Sequence, residues 1–225
     1  MSFDPSLVVA ALPKSQLLVA DVLSLAPGQW VTDGVLSFYL DFLSTSHPSL
    51  AHSLAPLNPG VASLCQVMSG SDLAECLCST GLSASCSSLL LPLSDSSSLD
   101  SALSGTHWSL LHWQRSTGFS HYDSAASAGS GRSLQVASLV AARLSPLLGL
   151  QEAAPVVVPR PCPQQANHFD CGMHVAASME FLVAGLAGAP LAAPAEASSM
   201  RARILAIAAQ AQSPGSSAFW AAQAV

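Results

Sequence analysis

Charge is what this sequence has least of. Only 9% of its 225 residues are charged, against roughly 25% in an average soluble domain, and Lys14 is its one lysine. Seven basic residues stand against thirteen acidic ones, for a net charge of −6, and no run of Lys and Arg occurs. Because nucleic-acid binding depends on clustered cations, we expect no nucleic-acid partner.

Long apolar runs are also missing, although half of the residues are hydrophobic and the mean hydropathy is +0.45. The longest uncharged, mainly apolar stretch covers residues 181–195 and is interrupted by two glycines and two prolines. A spanning helix needs about 20 residues. The N-terminus has neither the basic start nor the small-residue cleavage site of a signal peptide. We therefore expect no membrane partner and a cytoplasmic or nuclear location.

The cysteines do not follow a metal-binding pattern. Cys76, Cys78 and Cys86 lack the C-x-x-C spacing of zinc sites, and no paired fourth ligand follows. An even number of cysteines is compatible with disulfides, but we expect reduced thiols in a chain of this length without a secretory signal. We predict no metal site. The six are Cys65, Cys76, Cys78, Cys86, Cys162 and Cys171.

Hydrophobic periodicity divides the chain into three parts. We predict a lead-in over residues 1–14, one domain over residues 15–212 and a flexible tail over residues 213–225. Helices outside a cluster of strands indicate an α+β fold. The predicted helices cover about residues 32–47, 71–78, 133–148, 171–183 and 196–212, and the predicted strands cover residues 87–93, 106–113, 119–123 and 156–158.

A β-hairpin is predicted over residues 106–123, where two strands of bulky residues flank a five-residue turn. Pairing Trp113 with Phe119 would place His107 and Asp123 on the same face of the sheet, on a diagonal. A carboxylate in that position would hold the imidazole in one tautomer. His121 would share this face.

Cys171 stands where we predict a helix to begin, after Asp170, which is a candidate cap. The positive end of a helix favours the thiolate form of a cysteine, and Gly172 leaves room for a substrate backbone. A cysteine in such a place is more often structural than catalytic. Its base, if it has one, is left open between His107 and His174, which lies one helical turn further on.

Four blocks of sequence are distinctive: residues 30–33 (WVTD), 105–111 (GTHWSLL), 121–124 (HYDS) and 163–173 (PQQANHFDCGM). In this order they resemble the Ulp/sentrin-specific protease family, whose members are papain-like cysteine peptidases that cleave after the Gly-Gly end of ubiquitin-like modifiers. The resemblance covers about residues 15–185 and implies an α+β, papain-like fold with a mixed central sheet and flanking helices.

The resemblance assigns the catalytic roles. It implies Cys171 as nucleophile, His107 as general base and acid, and Asp123 as the group that orients His107. Gln165, with the backbone N–H of Cys171, is implied to stabilise the oxyanion.

The resemblance also implies substrate-binding residues. Trp30 and Trp108 would wall a tunnel that admits only Gly-Gly, although both indoles are also compatible with core positions. Asp33 would contact an arginine in the tail of the modifier, or would serve only as a helix cap.

Within the family, the GTHWSLL and HYDS blocks are most similar to the compact deneddylase branch, which acts on the cullin modifier Nedd (Rub). The implied partners are this modifier and its conjugates, cullins among them, and the implied state is a monomer without cofactor. Val31-Thr32 replaces the usual Leu-Asn, and the loop 94–104 is rich in Ser and Leu. Modifier preference therefore stays open towards a SUMO-directed or acetyl-transferring relative. The other alternative is a catalytically weak module that binds the modifier without turning it over, which the intact triad disfavours.

Overall fold

A mixed five-stranded β-sheet forms the centre of the fold. The computed structural model describes residues 3–95, 106–125, 131–151, 154–189 and 194–223. Its strands are β1 (Val8–Leu12), β2 (Ser15–Leu18), β3 (Leu54–Pro56), β4 (Ser88–Ser94), β5 (Trp108–Gln114), β6 (Gly118–Tyr122) and β7 (Val157–Arg160). Its helices are α1 (Val19–Ser24), α2 (Asp33–Ser46), α3 (Pro59–Val67), α4 (Gly70–Leu77), α5 (Gly131–Leu144), α6 (Cys171–Leu186), α7 (Ala197–Gln210) and α8 (Ser217–Gln223).

The central sheet has the strand order β3-β4-β5-β6-β7. The outer pairs β3–β4 and β6–β7 are parallel, whereas β4–β5 and β5–β6 are antiparallel. Trp113 pairs with Phe119 across the hairpin, which confirms the predicted register. The α+β prediction with a mixed sheet and flanking helices is confirmed as well.

Helices cover both faces of this sheet. Leu90 and Leu110 belong to the core that contains α2, α6 and α7, while Leu89, Leu91 and Leu111 belong to the core that contains α3 and α5. Successive strand residues point to opposite faces, so a strand covered on both sides is apolar at every position. This explains the unbroken run of leucines in β4.

Helix α6 brings the candidate nucleophile to the sheet. It begins at Cys171, as predicted, and packs on β5, α2 and α7. It continues to Leu186, beyond the predicted end at residue 183. Of the helices in the described parts of the chain, none is long and apolar enough to cross a membrane.

The structure at the two ends of the chain differs from the predicted lead-in and tail. The predicted lead-in contains β1, which pairs with β2, and the predicted flexible tail contains α8 with Phe219 and Trp220 buried. Trp220 Nε1 donates to the Val9 carbonyl at 2.9 Å. The tail was misjudged because its order depends on contacts with β1 at the other end of the chain.

The buried face of helix α5 includes small residues. Ala137 and Ala141 are fully buried, whereas Leu139 is exposed. Small side chains form part of this face, where α5 packs against α3, so bulk is a poor guide to burial here.

Candidate active site

His107 and Asp123 form a hydrogen-bonded pair at one end of the β5–β6 hairpin. The Nε2–H group of His107 donates to Asp123 Oδ1 at 2.7 Å, and the side chain of Asp123 is only 4% exposed. Asp95 fixes the backbone before β5, because its Oδ1 accepts the N–H of Thr106 at 2.6 Å and that of His107 at 2.9 Å. The imidazole is therefore held through its main chain and through one ring nitrogen.

Cys171 is the first residue of α6 and is buried. Its side chain lies close enough to His107 to raise the pKa of that imidazole. Since Nε2 of that ring is engaged by Asp123, the nitrogen available to the thiol is Nδ1. The structure thus brings together Cys171, His107 and Asp123, the three residues predicted from the sequence to act as a triad.

Electrostatics favour a charged imidazole in this arrangement. Burial by itself lowers the pKa of His107, but the hydrogen bond to Asp123 and the interaction with Cys171 raise it to about 10. Burial raises the pKa of Asp123, and the hydrogen bonds from His107 and the Ala125 backbone N–H reverse this, so that its pKa lies below the ordinary value. At neutral pH the pair is an imidazolium and a carboxylate.

The other imidazoles near the site are placed differently. Burial lowers the pKa of His174, although the negative charge of Asp170 acts in the opposite direction. The backbone N–H of His174 donates to the Asp170 carbonyl. His112 lies on the opposite face of the sheet, where Nε2 is 3.1 Å from Ser88 Oγ. His121 shares the face of Asp123, but burial lowers its pKa and Nε2 has no hydrogen-bond partner among the described residues. Cys171 acts on the pKa of His107, which favours His107 as the base.

Gln165 is held in a fixed orientation six residues before Cys171. Its Oε1 accepts the hydroxyl proton of Ser124 at 2.7 Å, and its Nε2 donates to the Asn167 carbonyl at 2.7 Å. The backbone N–H of Gln165 also donates to the Ser124 carbonyl at 2.8 Å. An amide nitrogen has two hydrogens, so a second one remains for an oxyanion. The residue following Asp123 thereby sets the orientation of this amide.

The turn before Cys171 is built on Asn167. Its Oδ1 accepts the backbone N–H groups of Phe169 and Asp170 at 3.0 and 2.9 Å. Asp170 stands at the helix N-cap position, but no side-chain cap hydrogen bond forms; the carboxylate instead accepts from Asn167 Nδ2 at 2.8 Å and from Arg201. The predicted capping role of Asp170 is therefore wrong, because its two oxygens are used within the turn and on α7.

A close contact lies beside the nucleophile. Trp108 Nε1 donates to the Val31 carbonyl at 3.1 Å. A Cβ placed on Gly172 would overlap the Val31 side chain and lie 3.4 Å from Cδ1 of Trp108. Glycine is thus required at position 172 by packing, and Trp108 and Val31 form a wall next to Cys171.

Trp30 and Asp33 lie at the surface on either side of Val31-Thr32. The indole of Trp30 is 44% exposed, and no ring contact joins it to Trp108 within the described parts of the chain. The Asp33 carboxylate accepts the N–H of Gly34 at 2.9 Å. Thr32, not Asp33, stands at the N-cap of α2. Both predicted substrate contacts stay predictions.

Sequence reasoning missed several residues that hold this site. Asp95, Ser124 and Arg201 were not singled out, and neither was Asp21, which accepts the hydroxyl of Thr32 at 2.6 Å. Arg201 did leave a signal: it lies three residues before Ile204, on the buried face of the last long helix. A cation on an apolar helix face requires a partner, so this arginine indicated a buried charge pair.

Comparison with known proteins assigns the chain to a family. No protein-family model matches it. Sentrin-specific protease 8 of Rattus norvegicus is 31% identical over 183 residues, which are 80% of this chain and 81% of the relative. The chain belongs to the Ulp/sentrin-specific protease family. NEDD8-specific protease 1 of Arabidopsis thaliana is 30% identical over 153 residues, which are 66% of this chain and 63% of the relative.

The fold of this family member also has solved counterparts. The C-terminal Ulp1 protease domain, solved in complex with Smt3, the yeast ortholog of SUMO, has a TM-score of 0.71 and 18% identity. The match covers 93% of this chain and 90% of that one. The chain is a cysteine-type peptidase with a Ulp-type fold. Within the described residues, no three His, Cys, Asp or Glu side chains cluster in a way that could hold a metal ion.

Proposed function

We propose that this peptidase cleaves after the C-terminal Gly-Gly of a ubiquitin-like modifier of the Nedd/Rub type, in precursors and in conjugates. The observation that carries the proposal is the linked set Cys171–His107–Asp123 beside the wall of Trp108 and Val31. All of these residues come from one chain, which supports action as a monomer. Cullin conjugates are the substrates we infer from the likeness to the deneddylase branch.

In the first half of the reaction, the Cys171 sulfur attacks the carbonyl carbon of the last glycine. The imidazolium of His107 favours the thiolate. The resulting oxyanion accepts hydrogen bonds from the backbone N–H of Cys171 and from the second amide hydrogen of Gln165. His107 then gives its proton to the leaving amine, the C–N bond breaks, and a thioester remains on Cys171.

In the second half, water enters in place of the amine. His107, now neutral, takes a proton from this water as the oxygen attacks the thioester carbonyl. Collapse of the second tetrahedral intermediate breaks the C–S bond and releases the modifier with a free carboxylate. Asp123 stays ionised throughout and keeps Nδ1 of His107 directed at the sulfur.

The restriction to glycine follows from the close contact beside the nucleophile. Trp108 and Val31 already fill the space that a side chain at position 172 would need. We infer that a substrate chain passing this wall has equally little room for a β-carbon, so glycine is accepted and larger residues are excluded. Trp30 would cover the other side of the tail.

The Nedd preference is supported by two relatives that carry the names sentrin-specific protease 8 and NEDD8-specific protease 1. Asp33 is exposed at the start of α2 and has no cationic partner among the described ion pairs. It is therefore available for an arginine in the modifier tail. The second predicted specificity element, the loop 94–104, lies outside the described residues except for its first two positions.

The test is a panel of Nedd, SUMO and ubiquitin probes that carry a vinyl sulfone in place of the terminal carboxylate. We expect the Nedd probe to attach fastest, with the adduct on Cys171 by peptide mapping, and no adduct on Cys171→Ala. Faster attachment of the SUMO probe would assign the chain to SUMO processing instead. Labelling of Cys171 by iodoacetamide without attachment of any probe would contradict the proposal.

A further inference from the structure

One buried arginine joins the two segments that meet at the active site. Arg201 lies on α7, is 7% exposed, and directs its guanidinium into the space between the segment that leads to Trp30 and the turn that leads to Cys171. Apart from Ser24, the last residue of α1, the residues that Arg201 contacts on these two segments lie outside helices and strands. Its donors satisfy main-chain carbonyls that regular secondary structure would otherwise pair.

On one side, Arg201 holds the end of α1 and the turn that follows. Its Nη1 donates to the carbonyls of Ser24 and Ala26, each at 3.1 Å, and its Nη2 donates to the carbonyl of Gln29 at 2.7 Å. Gly28 makes this turn possible with a φ of +78°. The three bonds fix the residue that precedes Trp30.

On the other side, Arg201 holds the turn before the nucleophile. Asp170 Oδ1 accepts from Nε at 3.2 Å and from Nη2 at 2.8 Å, and the Phe169 carbonyl accepts from Nη2 at 3.3 Å. Burial raises the pKa of Asp170, but the bonds from Asn167 and Arg201 bring its pKa below the ordinary value. The charge pair lies directly before Cys171.

A planar guanidinium presents five donors in a rigid fork, whereas an ammonium is a compact point charge. All three guanidinium nitrogens donate here, and their acceptors lie on both segments. Arg201 therefore does more than neutralise Asp170: it sets the separation between the turn at Gln29 and the turn at Phe169.

We propose that Arg201 is a positioning residue that holds the tail-binding segment Trp30–Asp33 in register with Cys171, so that a bound Gly-Gly tail presents its carbonyl to the sulfur. The inference rests on the proposed function, because it assigns the tail to this segment. Without the hydrogen bonds of Arg201, the segment Trp30–Asp33 can move relative to α6. Tail binding suffers, while the chemistry of the triad is preserved, because His107 and Asp123 lie at the end of the hairpin and Cys171 begins α6.

Arg201→Lys tests this directly, since it keeps a charge opposite Asp170 but cannot span both turns. The matched control is Arg203→Lys, on the same helix, where the side chain is half exposed and pairs with Glu180. The substrate is a Nedd-type modifier that carries aminomethylcoumarin after Gly-Gly. We expect KM for Arg201→Lys to rise at least about tenfold and Arg203→Lys to stay within about twofold of wild type.

A second pair of variants tests the contact between Arg201 and the turn before Trp30 by changing the turn instead of the arginine. Gly28→Ala strains the turn whose carbonyls accept hydrogen bonds from Arg201. A Cβ at position 28 meets no atom within 4 Å, so we expect the fold to be retained. Gly215→Ala has the same properties, with a φ of +85°, but lies before α8. We expect KM to rise several-fold for Gly28→Ala alone, which keeps the inference testable should Arg201→Lys not fold.

Turnover (kcat) is expressed per Cys171 thiol alkylated by iodoacetamide, with the adduct located by peptide mapping, and the rate of this alkylation is measured as well. We expect this rate to stay within about twofold of wild type in every variant. A purely structural role would lower the melting temperature but leave KM unchanged, which would overturn the inference. A fall in kcat alone would overturn it too. If the wild type labels with iodoacetamide but cleaves no modifier, the proposed function fails together with the inference.

Discussion

His107 directly precedes β5 and Asp123 directly follows β6, at the same end of the hairpin, whereas Trp30 and Asp33 lie around an irregular segment between α1 and α2. The first pair is placed by a strand register that the hairpin turn determines. The second segment is placed by single side chains from elsewhere: Asp21 on Thr32 and Trp108 on Val31. The residues proposed for chemistry thus depend on regular secondary structure, and those proposed for tail binding depend on long-range contacts.

This difference predicts a division in the kinetics. Changes on the hairpin and at the start of α6 should lower kcat, while changes along the irregular segment should raise KM. The predictions below test that division, beginning with the largest effect.

Cys171→Ala should abolish cleavage and leave modifier binding intact, because it removes the sulfur that forms the thioester and nothing that contacts the tail. Turnover is measured with a coumarin substrate, and binding by calorimetry with the free modifier. Cys162→Ala and Cys76→Ala are the matched controls and should stay active. Substantial turnover by purified Cys171→Ala would remove the nucleophile assignment.

His107→Ala should lower kcat by roughly 10²–10⁴-fold, the usual contribution of a general acid–base, and Asp123→Asn should lower it less. Asp123 raises the pKa of His107, which is about 10 in the intact site. Without the carboxylate this pKa falls, so the alkaline limb of the kcat/KM profile should move to lower pH in Asp123→Asn. An unmoved alkaline limb would contradict the pairing. His174→Ala is the control. If His174→Ala were inactive while His107→Ala stayed active, the role of general base would pass to His174.

Asp33→Lys should raise KM by at least about tenfold, or about 1.4 kcal/mol, and change kcat little. This is below the 2–5 kcal/mol often lost when one partner of a buried charge pair is removed, because Asp33 is exposed before the modifier binds. Charge reversal of the matching arginine in the modifier should recover part of the loss. A double-mutant cycle measures this coupling, and strictly additive effects would reduce Asp33 to a residue of the first helical turn.

Ser124→Ala should lower kcat by up to about tenfold, since one hydrogen bond contributes about 1 kcal/mol. Its hydroxyl fixes Oε1 of Gln165, and its loss lets the amide rotate away from the oxyanion. KM should be unaffected. Ser120→Ala, in β6 on the opposite face, is the control. Equal kcat values for the two variants would exclude an orienting role for Ser124.

The site could be anticipated where local pattern determines geometry. The predicted pairing of Trp113 with Phe119 was enough to place His107 beside Asp123, although the observed turn is shorter than predicted, and the helix start was enough to place Cys171. The wall beside Cys171 was anticipated only in part. Trp108 was named, but the overlap between Gly172 and Val31 depends on how α6 approaches α2, which no spacing in the sequence reveals.

The contacts that sequence reasoning missed share a physical cause. Arg201 bonds to carbonyls more than 170 residues earlier in the chain, and backbone carbonyls carry no sequence signature. The order of α8 likewise depends on Val9, at a separation of 211 residues. The many alanines weaken the apolar periodicity further, as the buried Ala137 and exposed Leu139 of α5 illustrate.

The side chain of Val31 occupies the space that a side chain at position 172 would need, and this has an evolutionary consequence. A larger residue at position 172 has space only if position 31 loses its branched side chain, and a larger residue at position 31 must grow away from α6. The two positions should therefore covary, through paired rather than single replacements. For a protein engineer who wants the proposed tail-binding tunnel to accept alanine in place of glycine, the first position to randomise is 31, with 172 kept as glycine.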